Sequence, residues 1–322
     1  MQQRYLGTTG LKVSRLGLGT MTWGRDTDEH EAADQLKVFI EAGGTLLDTS
    51  ASYGDGESER LIGQLLASVV DREEVVLATK AGISGRTGER VVDTSRRALL
   101  DALDGSLHRL GTDHVDLWQV HAWSEDVAME ETLGALDHAV ATGRARYAGV
   151  SNYSGWQAAR AVTFQAAWPG RAPVVSTQME YSLLQRGIER EVLPCATALG
   201  LGVLPWSPLG RGVLTGKYRT GIPGDSRAAS PDYAGFVEHY LDDRSRSIVG
   251  ALHTAAEGLD AAPLEVALAW VRDARGVTAP IVGARTAAQL RSSLTSERLT
   301  LPAEIRSALD DVSAPQLGYP ER

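Results

Sequence analysis

The sequence predicts an α/β protein: a closed (β/α)8 TIM barrel with a short N-terminal β-hairpin and a large βα-loop after strand 7. Three observations carry this expectation. Short apolar runs alternate with amphipathic segments along nearly the whole chain, and such alternation implies a parallel sheet covered by helices. The runs lack strict polar/apolar alternation, as expected of strands buried on both faces. Eight such units in 322 residues suit a closed barrel, which commonly takes about 250 residues as one domain. Residues 1–322 are therefore expected to form a single domain. An open doubly wound sheet is the alternative. It fits less well because Gly17-Leu18-Gly19-Thr20-Met21-Thr22 lacks the third glycine of a dinucleotide-binding turn, and no other Gly-x-Gly-x-x-Gly opens a helix.

The hairpin is expected from Tyr5 to Val13, around Gly7-Thr8-Thr9-Gly10, and the first barrel strand from Val13 to Gly19. Asp28 and Glu29 then open a helix carrying Ala32, Leu36, Phe39 and Ile40 at helical spacing, and Gly43-Gly44 ends it. The second strand, Thr45 to Thr49, runs into a Gly- and Ser-rich turn containing Asp48 and Tyr53. A helix from Glu57 to Ala67 follows, with Leu61, Ile62, Leu65 and Leu66 on one face. The remaining strands are expected at Val75 to Thr79, Val115 to Val120, Ala148 to Ser151, Val174 to Gln178, Gly202 to Pro205 and Thr278 to Val282. Amphipathic segments such as Ser95 to Leu110, Leu133 to Ala141 and Val192 to Leu199 separate them, closed by Gly111, Gly143 and Gly200. The interval from Trp206 to Thr278 breaks the rhythm. Residues 218–236 carry Gly221, Pro223, Gly224, Ser226, Ser230, Pro231 and Gly235, which predicts a large, mobile βα-loop. Helices near Asp243 to Glu257, Pro263 to Arg272, Thr286 to Thr295 and Pro302 to Val312 complete the chain.

Composition narrows the function classes. A formal charge of −9 argues against nucleic acid as a partner, because neutralising phosphates needs a dense Lys/Arg surface. Cys195 is the single cysteine, so no intrachain disulfide forms, which suits a reducing compartment. Met1 to Gly10 shows no signal-peptide pattern, and no apolar stretch approaches about 18 residues, so a cytoplasmic protein with no membrane partner is expected. Oligomeric state has no signature in the sequence.

In a barrel, the C-terminal ends of the strands face one shared mouth. Those positions here are Asp48, Lys80, His121, Ser151-Asn152, Gln178, Trp206-Ser207 and Gly283. Each has a bland reading: Asp48 as a helix cap, Lys80 as a solvated charge, His121 as a hydrogen-bonded surface histidine, Tyr53 as a loop aromatic. The functional reading gains because these groups fall at the same end of successive strand-helix junctions. A free tyrosine titrates near about 10, and a neighbouring ammonium favours its phenolate. Lys80 is thus expected to lower the Tyr53 pKa, Asp48 to hold Lys80 in place and charged, and His121 to orient a substrate carbonyl or relay the proton. Such a set protonates an oxygen that is gaining negative charge. A carbonyl accepting hydride is the candidate, and hydride requires a cofactor because no side chain supplies it. A metal-dependent hydrolase would need clustered His and carboxylate ligands at the strand ends, where only His121 qualifies.

The chain resembles the aldo-keto reductases. The matching motifs are Leu47-Asp48-Thr49 with Tyr53-Gly54 and Gly56-x-Ser58-Glu59, then Thr79-Lys80, Asp116-Leu117-Trp118-Gln119-Val120-His121, Gly149-Val150-Ser151-Asn152 and Gln178. Trp206-Ser207-Pro208-Leu209-Gly210-Arg211-Gly212 and Pro280-Ile281-Val282-Gly283-Ala284-Arg285 complete the series, in the family's order over almost the whole chain. The resemblance implies a catalytic tetrad of Asp48, Tyr53, Lys80 and His121, with Tyr53 as general acid, and NADPH lying across the barrel mouth. It places Ser151, Asn152 and Gln178 on the nicotinamide carboxamide and Trp206 against its ring. Ser207, Pro208, Leu209, Gly210, Gly212 and Lys217 would form the pyrophosphate loop, with Arg227 over the cofactor, and Gly283, Arg285 and Gln289 would meet the 2′-phosphate. Ser292-Ser293 stands where relatives often carry Glu-Asn facing the adenine, a departure that weakens that contact. A small-molecule carbonyl is the implied substrate, with Trp23, Trp123 and the stretch around Tyr233 and Phe236 as candidates for an aromatic pocket. The same branch resembles the beta subunits of voltage-gated potassium channels, so a cofactor-sensing binding protein with little turnover is the alternative function.

Overall fold

The structure, a computed structural model, describes residues 1–84, 90–219, 221–224, 226–229, 234–315 and 318. An antiparallel ribbon, β1 (Gln3–Tyr5) and β2 (Lys12–Ser14), opens the chain, with Arg4 opposite Val13. The expected first strand is therefore divided: Val13 belongs to the ribbon, and only β3 (Gly17–Gly19) enters the barrel. Ser14 causes the break. Its hydroxyl donates to the Leu16 carbonyl at 2.7 Å and accepts from the Thr45 amide at 2.9 Å, which turns the chain between the two strands.

The regular alternation then follows in order: α1 (Glu29–Glu41), β4 (Leu46–Asp48), α2 (Glu57–Leu66) and β5 (Val76–Ala81). A small antiparallel ribbon that the sequence does not predict, β6 (Ile83–Ser84) with β7 (Val91–Val92), stands before α3 (Arg96–Leu110). Next come β8 (Val115–Val120), α4 (Met129–Ala141), β9 (Ala145–Ser151), α5 (Gly155–Ala166), β10 (Val174–Glu180), α6 (Val192–Leu199) and β11 (Gly202–Trp206). After β11 lie short turns at Gly210–Thr215 and Arg227–Ala229 and then α7 (Ala234–Glu238), so the long loop contains helical pieces. The chain ends with α8 (Asp243–Gly258), α9 (Pro263–Arg272), β12 (Ile281–Gly283), α10 (Ala287–Leu294) and α11 (Ala303–Val312).

Eight strands pair in parallel in the order β12, β3, β4, β5, β8, β9, β10, β11. A parallel bridge between Val203 and Val277, with the Thr278 amide donating to the Val203 carbonyl at 2.9 Å, brings the two ends together. The result is a nearly closed (β/α)8 barrel. Leu46, Ala78, Leu117, Leu204 and Ala279 pack inside it, and Leu6 and Val13 of the N-terminal ribbon join that cluster. The ribbon thus covers the end opposite the active mouth, because the catalytic candidates follow the strands' C-terminal ends. A larger apolar layer, including Leu36, Phe39, Leu103, Leu136 and Leu252, packs the helices onto the outside of the barrel. No helix among the described residues is long and apolar enough to cross a membrane.

Candidate active site

Strands β4 and β5 are neighbours in register, Asp48 opposite Ala78, which sets Asp48 beside Lys80. Both are buried, with Lys80 at 0% and Asp48 at 2% exposure. Lys80 Nζ donates to Asp48 Oδ2 at 2.6 Å, to the Thr49 carbonyl at 2.8 Å and to Tyr53 Oη at 3.4 Å. All three ammonium hydrogens are directed at acceptors. The second Asp48 oxygen accepts from Gln178 Nε2 at 2.8 Å, so one carboxylate joins Lys80 to β10 across the mouth.

Burial works against the Lys80 charge, yet Asp48 and then Tyr53 hold its pKa above the ordinary lysine value. Tyr53 departs from the sequence expectation. Its pKa is raised, because loss of water around the phenol outweighs the opposing charge of Lys80, and Asp48 adds to the rise. The tyrosine is accordingly held in its protonated, proton-donating form.

His121, just past β8, presents its ring edge-on to Tyr53 with centroids 6.0 Å apart. Its Nδ1 lies 3.0 Å from Ser50 Oγ, a partner the sequence reading missed although Ser50 sits in the same turn as Tyr53. Burial, followed by the charges of Lys80 and Arg90, lowers the His121 pKa well below 6.5. A neutral imidazole is therefore the form present near pH 7.

The turn carrying Tyr53 is held by local geometry. Gly54, Asp55 and Gly56 all take left-handed φ values, 57°, 54° and 95°. At Gly56 a Cβ would also lie 2.7 Å from Arg109 Cδ, so glycine meets both demands. Just beyond it, buried Glu59 accepts from Thr79 Oγ1 at 2.6 Å and from Arg109 Nε at 2.7 Å, tying α2 to β5 and α3. Buried Ser58 bonds the hydroxyls of Thr20 and Thr49, at 2.8 and 2.9 Å. Glu59 thus fixes the helix on which the Tyr53 turn rests.

A cleft of about 860 Å³ opens over these groups, and its lining joins Tyr53 and His121 to Ser151, Asn152, Gln178 and Trp206. Ser207, Pro208, Leu209, Gly212, Lys217, Gly283, Arg285 and Gln289 line it as well. Gly210 is buried in the turn beneath them. Ser151 Oγ donates to the Gln178 carbonyl, and Asn152 Nδ2 donates to the His121 carbonyl at 2.9 Å. Trp206 Nε1 donates to Asn152 Oδ1 at 3.1 Å, so the indole is locked to the strand next to His121. The Gln289 side chain accepts from the Arg285 amide at 3.0 Å and shapes its own loop. Ser292 and Ser293 also line the cleft, but each hydroxyl donates back to a carbonyl of α10, Ala288 and Gln289 respectively.

Of five non-glycine residues with positive φ among the described residues, four (Asp55, Asn152, Ser207 and Arg211) stand in the turns around the cleft. Strained backbone of this kind collects at functional sites. Arg211 is the largest omission of the sequence reading. It forms a two-point ion pair with Glu180 at 3.0 and 2.6 Å, donates to the Phe236 carbonyl and stacks 3.4 Å from the Phe236 ring centroid. Tyr240 Oη also donates to Glu180 at 2.9 Å, and the Phe236 ring lies nearly parallel to Trp206 at 6.5 Å. No spacing in the sequence signals this cluster.

Two expected pocket residues stand elsewhere. Trp23 is fully buried and donates to Gln35 Oε1 at 3.1 Å, which makes it a core residue between the first turn and α1. Trp123 packs edge-on against Tyr153 and Trp156, with centroids 5.2 and 5.5 Å away, and does not line the cleft. Phe236 does line it, whereas Tyr233 and the Arg227 side chain lie outside the described residues. Among the described residues, no group of three or more His, Cys, Asp or Glu could hold a metal ion.

The model of the Aldo/keto reductase family matches residues 15–314. The chain is similar to the uncharacterized oxidoreductase YrpG of Bacillus subtilis (strain 168), 36% identical over 97% of this chain and 96% of the relative. It is also similar to a probable voltage-gated potassium channel subunit beta of Oryza sativa subsp. japonica, 33% identical over 100% of this chain and 98% of that protein. An L-glyceraldehyde 3-phosphate reductase of Escherichia coli O157:H7 is 32% identical over 96% of this chain and 92% of its own length.

Proposed function

Because the chain belongs to the aldo/keto reductase family, we propose that it is an NADPH-dependent oxidoreductase reducing an aldehyde or ketone carbonyl to the alcohol, with Tyr53 as general acid. The observation that carries this reading is the series from buried Asp48 and Lys80 to half-buried Tyr53, joined at 2.6 and 3.4 Å, opening beside His121 into the cleft. The cleft has the chemistry a reduced nicotinamide dinucleotide needs. Lys217 and Arg285 line it with no carboxylate partner among the described residues, and both suit phosphate. Lys217 would meet the pyrophosphate beside Ser207, Pro208, Leu209, Gly210 and Gly212, and Arg227 would cover it. Gly283, Arg285 and Gln289 would take the 2′-phosphate.

At the other end, Gln178 Nε2 is committed to Asp48, which leaves its Oε1 to accept from a carboxamide N–H. Asn152 and Ser151 supply the neighbouring polar edge, and Trp206 the flat face against which a ring is oriented. Bound there, the cofactor supplies hydride, which no side chain provides.

The chain's own groups handle the proton and the oxygen. Tyr53, kept protonated by its surroundings, donates to the carbonyl oxygen as negative charge develops on it. Lys80, held charged by Asp48, then stabilises the phenolate left behind. Neutral His121, its Nδ1 turned to Ser50, directs Nε2 at the same oxygen and orients the carbonyl. The relative named as a channel subunit raises a binding role, but nothing in the cleft favours one over turnover.

Tyr53→Phe removes the proton donor and little else. Its NADPH-dependent reduction of a panel of aldehydes is expected to fall at least about 100-fold, with NADPH binding followed by fluorescence largely retained. Wild-type turnover in that variant would sink the assignment of Tyr53.

A further inference from the structure

The cleft is positive although the protein is not. The chain carries a formal charge of −9, yet among the described residues the lining holds Arg90, Arg211, Lys217 and Arg285 against one carboxylate, Asp48. Asp48 is neutralised by Lys80, and Arg211 by Glu180. Three cations are left over. Lys217 follows β11 and Arg285 follows β12, the two strands that meet where the barrel closes, and both are accounted for by the phosphates of the proposed cofactor.

Arg90 is not on that side. It directly precedes β7 in the ribbon after β5, and β5 stands four strands from β11 around the barrel. A dinucleotide held by Lys217 and Arg285, with its reactive end at Gln178 and Trp206, has its phosphates on the opposite wall. Arg90 instead shares the lining with Ile83, Tyr53 and His121, on the side where the carbonyl must enter. It has no hydrogen-bond or ion-pair partner among the described residues, and its charge reaches the His121 ring.

On the reading that this cleft reduces carbonyls, we propose that Arg90 makes it selective for small-molecule carbonyl substrates bearing an anionic group, carboxylate or phosphate. A guanidinium offers a fork of N–H donors that either group accepts in pairs. The β6–β7 ribbon is the device that carries this fork over the mouth, with Ile83 opposite Val92 fixing its register. The acidic exterior repels free anions from the rest of the surface, and the positive cleft draws them to one place.

The test compares matched pairs that differ only in charge: succinic semialdehyde against butanal for the carboxylate, glyceraldehyde 3-phosphate against glyceraldehyde for the phosphate. In the wild type, kcat/KM for at least one anionic member is expected to exceed that of its neutral partner. In Arg90→Gln that ratio should fall roughly fivefold to tenfold, with Arg90→Lys recovering a substantial part, and the wild-type ratio should shrink as salt is raised. Which pair responds tells carboxylate from phosphate. A ratio near one in the wild type, or one unchanged in Arg90→Gln, overturns the proposal while leaving carbonyl reduction intact. If no aldehyde is turned over, the function reading fails separately. Calorimetry of succinate and inorganic phosphate binding to the NADPH-loaded protein then decides, with equal affinity for wild type and Arg90→Gln overturning the role of Arg90.

Discussion

At the scale of single residues, the site is organised around one buried charge. Lys80 survives at 0% exposure because each ammonium hydrogen has an acceptor and because Asp48, its counter-ion, is itself fixed by Gln178. A buried pair lacking either partner would leave an uncompensated charge, typically at a cost of about 3–5 kcal/mol. The pH dependence follows from the two neighbours. Tyr53 has a pKa raised above 10, so its donating form is present at all lower pH and is lost only as pH rises through that raised value. His121 has a pKa well below 6.5, so it becomes charged only as pH falls far under that value. For carbonyl reduction, kcat/KM should therefore stay level through the neutral range, with no break near pH 6.5 and an alkaline decline only above about 10. Alcohol oxidation, which needs the phenolate, should climb towards the same alkaline value. Profiles of kcat/KM in both directions check this, and a titration near 6.5 in the reduction profile would contradict a neutral His121.

At the scale of elements, the mouth depends on a tie between β10 and α7. Glu180 ends β10, Arg211 stands in the turn after β11, and Phe236 and Tyr240 come from α7 and the residues after it. Arg211 is 8% exposed and its guanidinium joins all of them, with Trp206 at 5.6 Å. Arg211→Met keeps much of the volume but strands Glu180 and releases α7. It is expected to lower stability by about 3 kcal/mol in urea denaturation and to raise KM for NADPH, because Trp206 loses the ring stacked on it. Stability and KM both at wild-type values would show that the tie holds nothing. The cluster was invisible in the sequence because its members come from separate segments, 31 residues apart for Arg211 and Glu180 and 60 for Tyr240 and Glu180, and ion pairing leaves no period. The strands were legible for the opposite reason: a run buried on both faces, such as Val115 to Val120, announces itself locally. Aromatics such as Trp23 and Trp123 were misplaced because hydrophobicity alone does not tell a core residue from a pocket wall.

At the scale of the whole molecule, the barrel turns residues 235 positions apart, Asp48 and Gly283, into neighbours of one cleft, and this convergence was the most readable feature of the chain. Strand order fixes which residues come together at the mouth, so Asp48, Lys80, His121 and Gln178, each read at a strand end, lie close to one another there. Electrostatics at this scale was less readable, since net charge does not say where the charges lie. An acidic protein with a cationic cleft should bind a nicotinamide dinucleotide with a marked dependence on salt, because half-buried cations such as Arg285 are still partly screened, over about 10 Å at 0.1 M. The adenine end adds a specific expectation. The Ser292 and Ser293 hydroxyls donate to their own helix, so on the NADPH placement proposed above a contact to the 2′-phosphate is the main feature that would distinguish the cofactors. Arg285→Ala should then raise KM for NADPH roughly tenfold, as loss of a charge-assisted contact would, and leave KM for NADH nearly unchanged. The two cofactors would converge in kcat/KM, and raising the salt concentration should bring the wild type towards the same point. Equal losses for NADPH and NADH would place Arg285 on a phosphate common to both, the pyrophosphate, and would remove the basis for preferring NADPH.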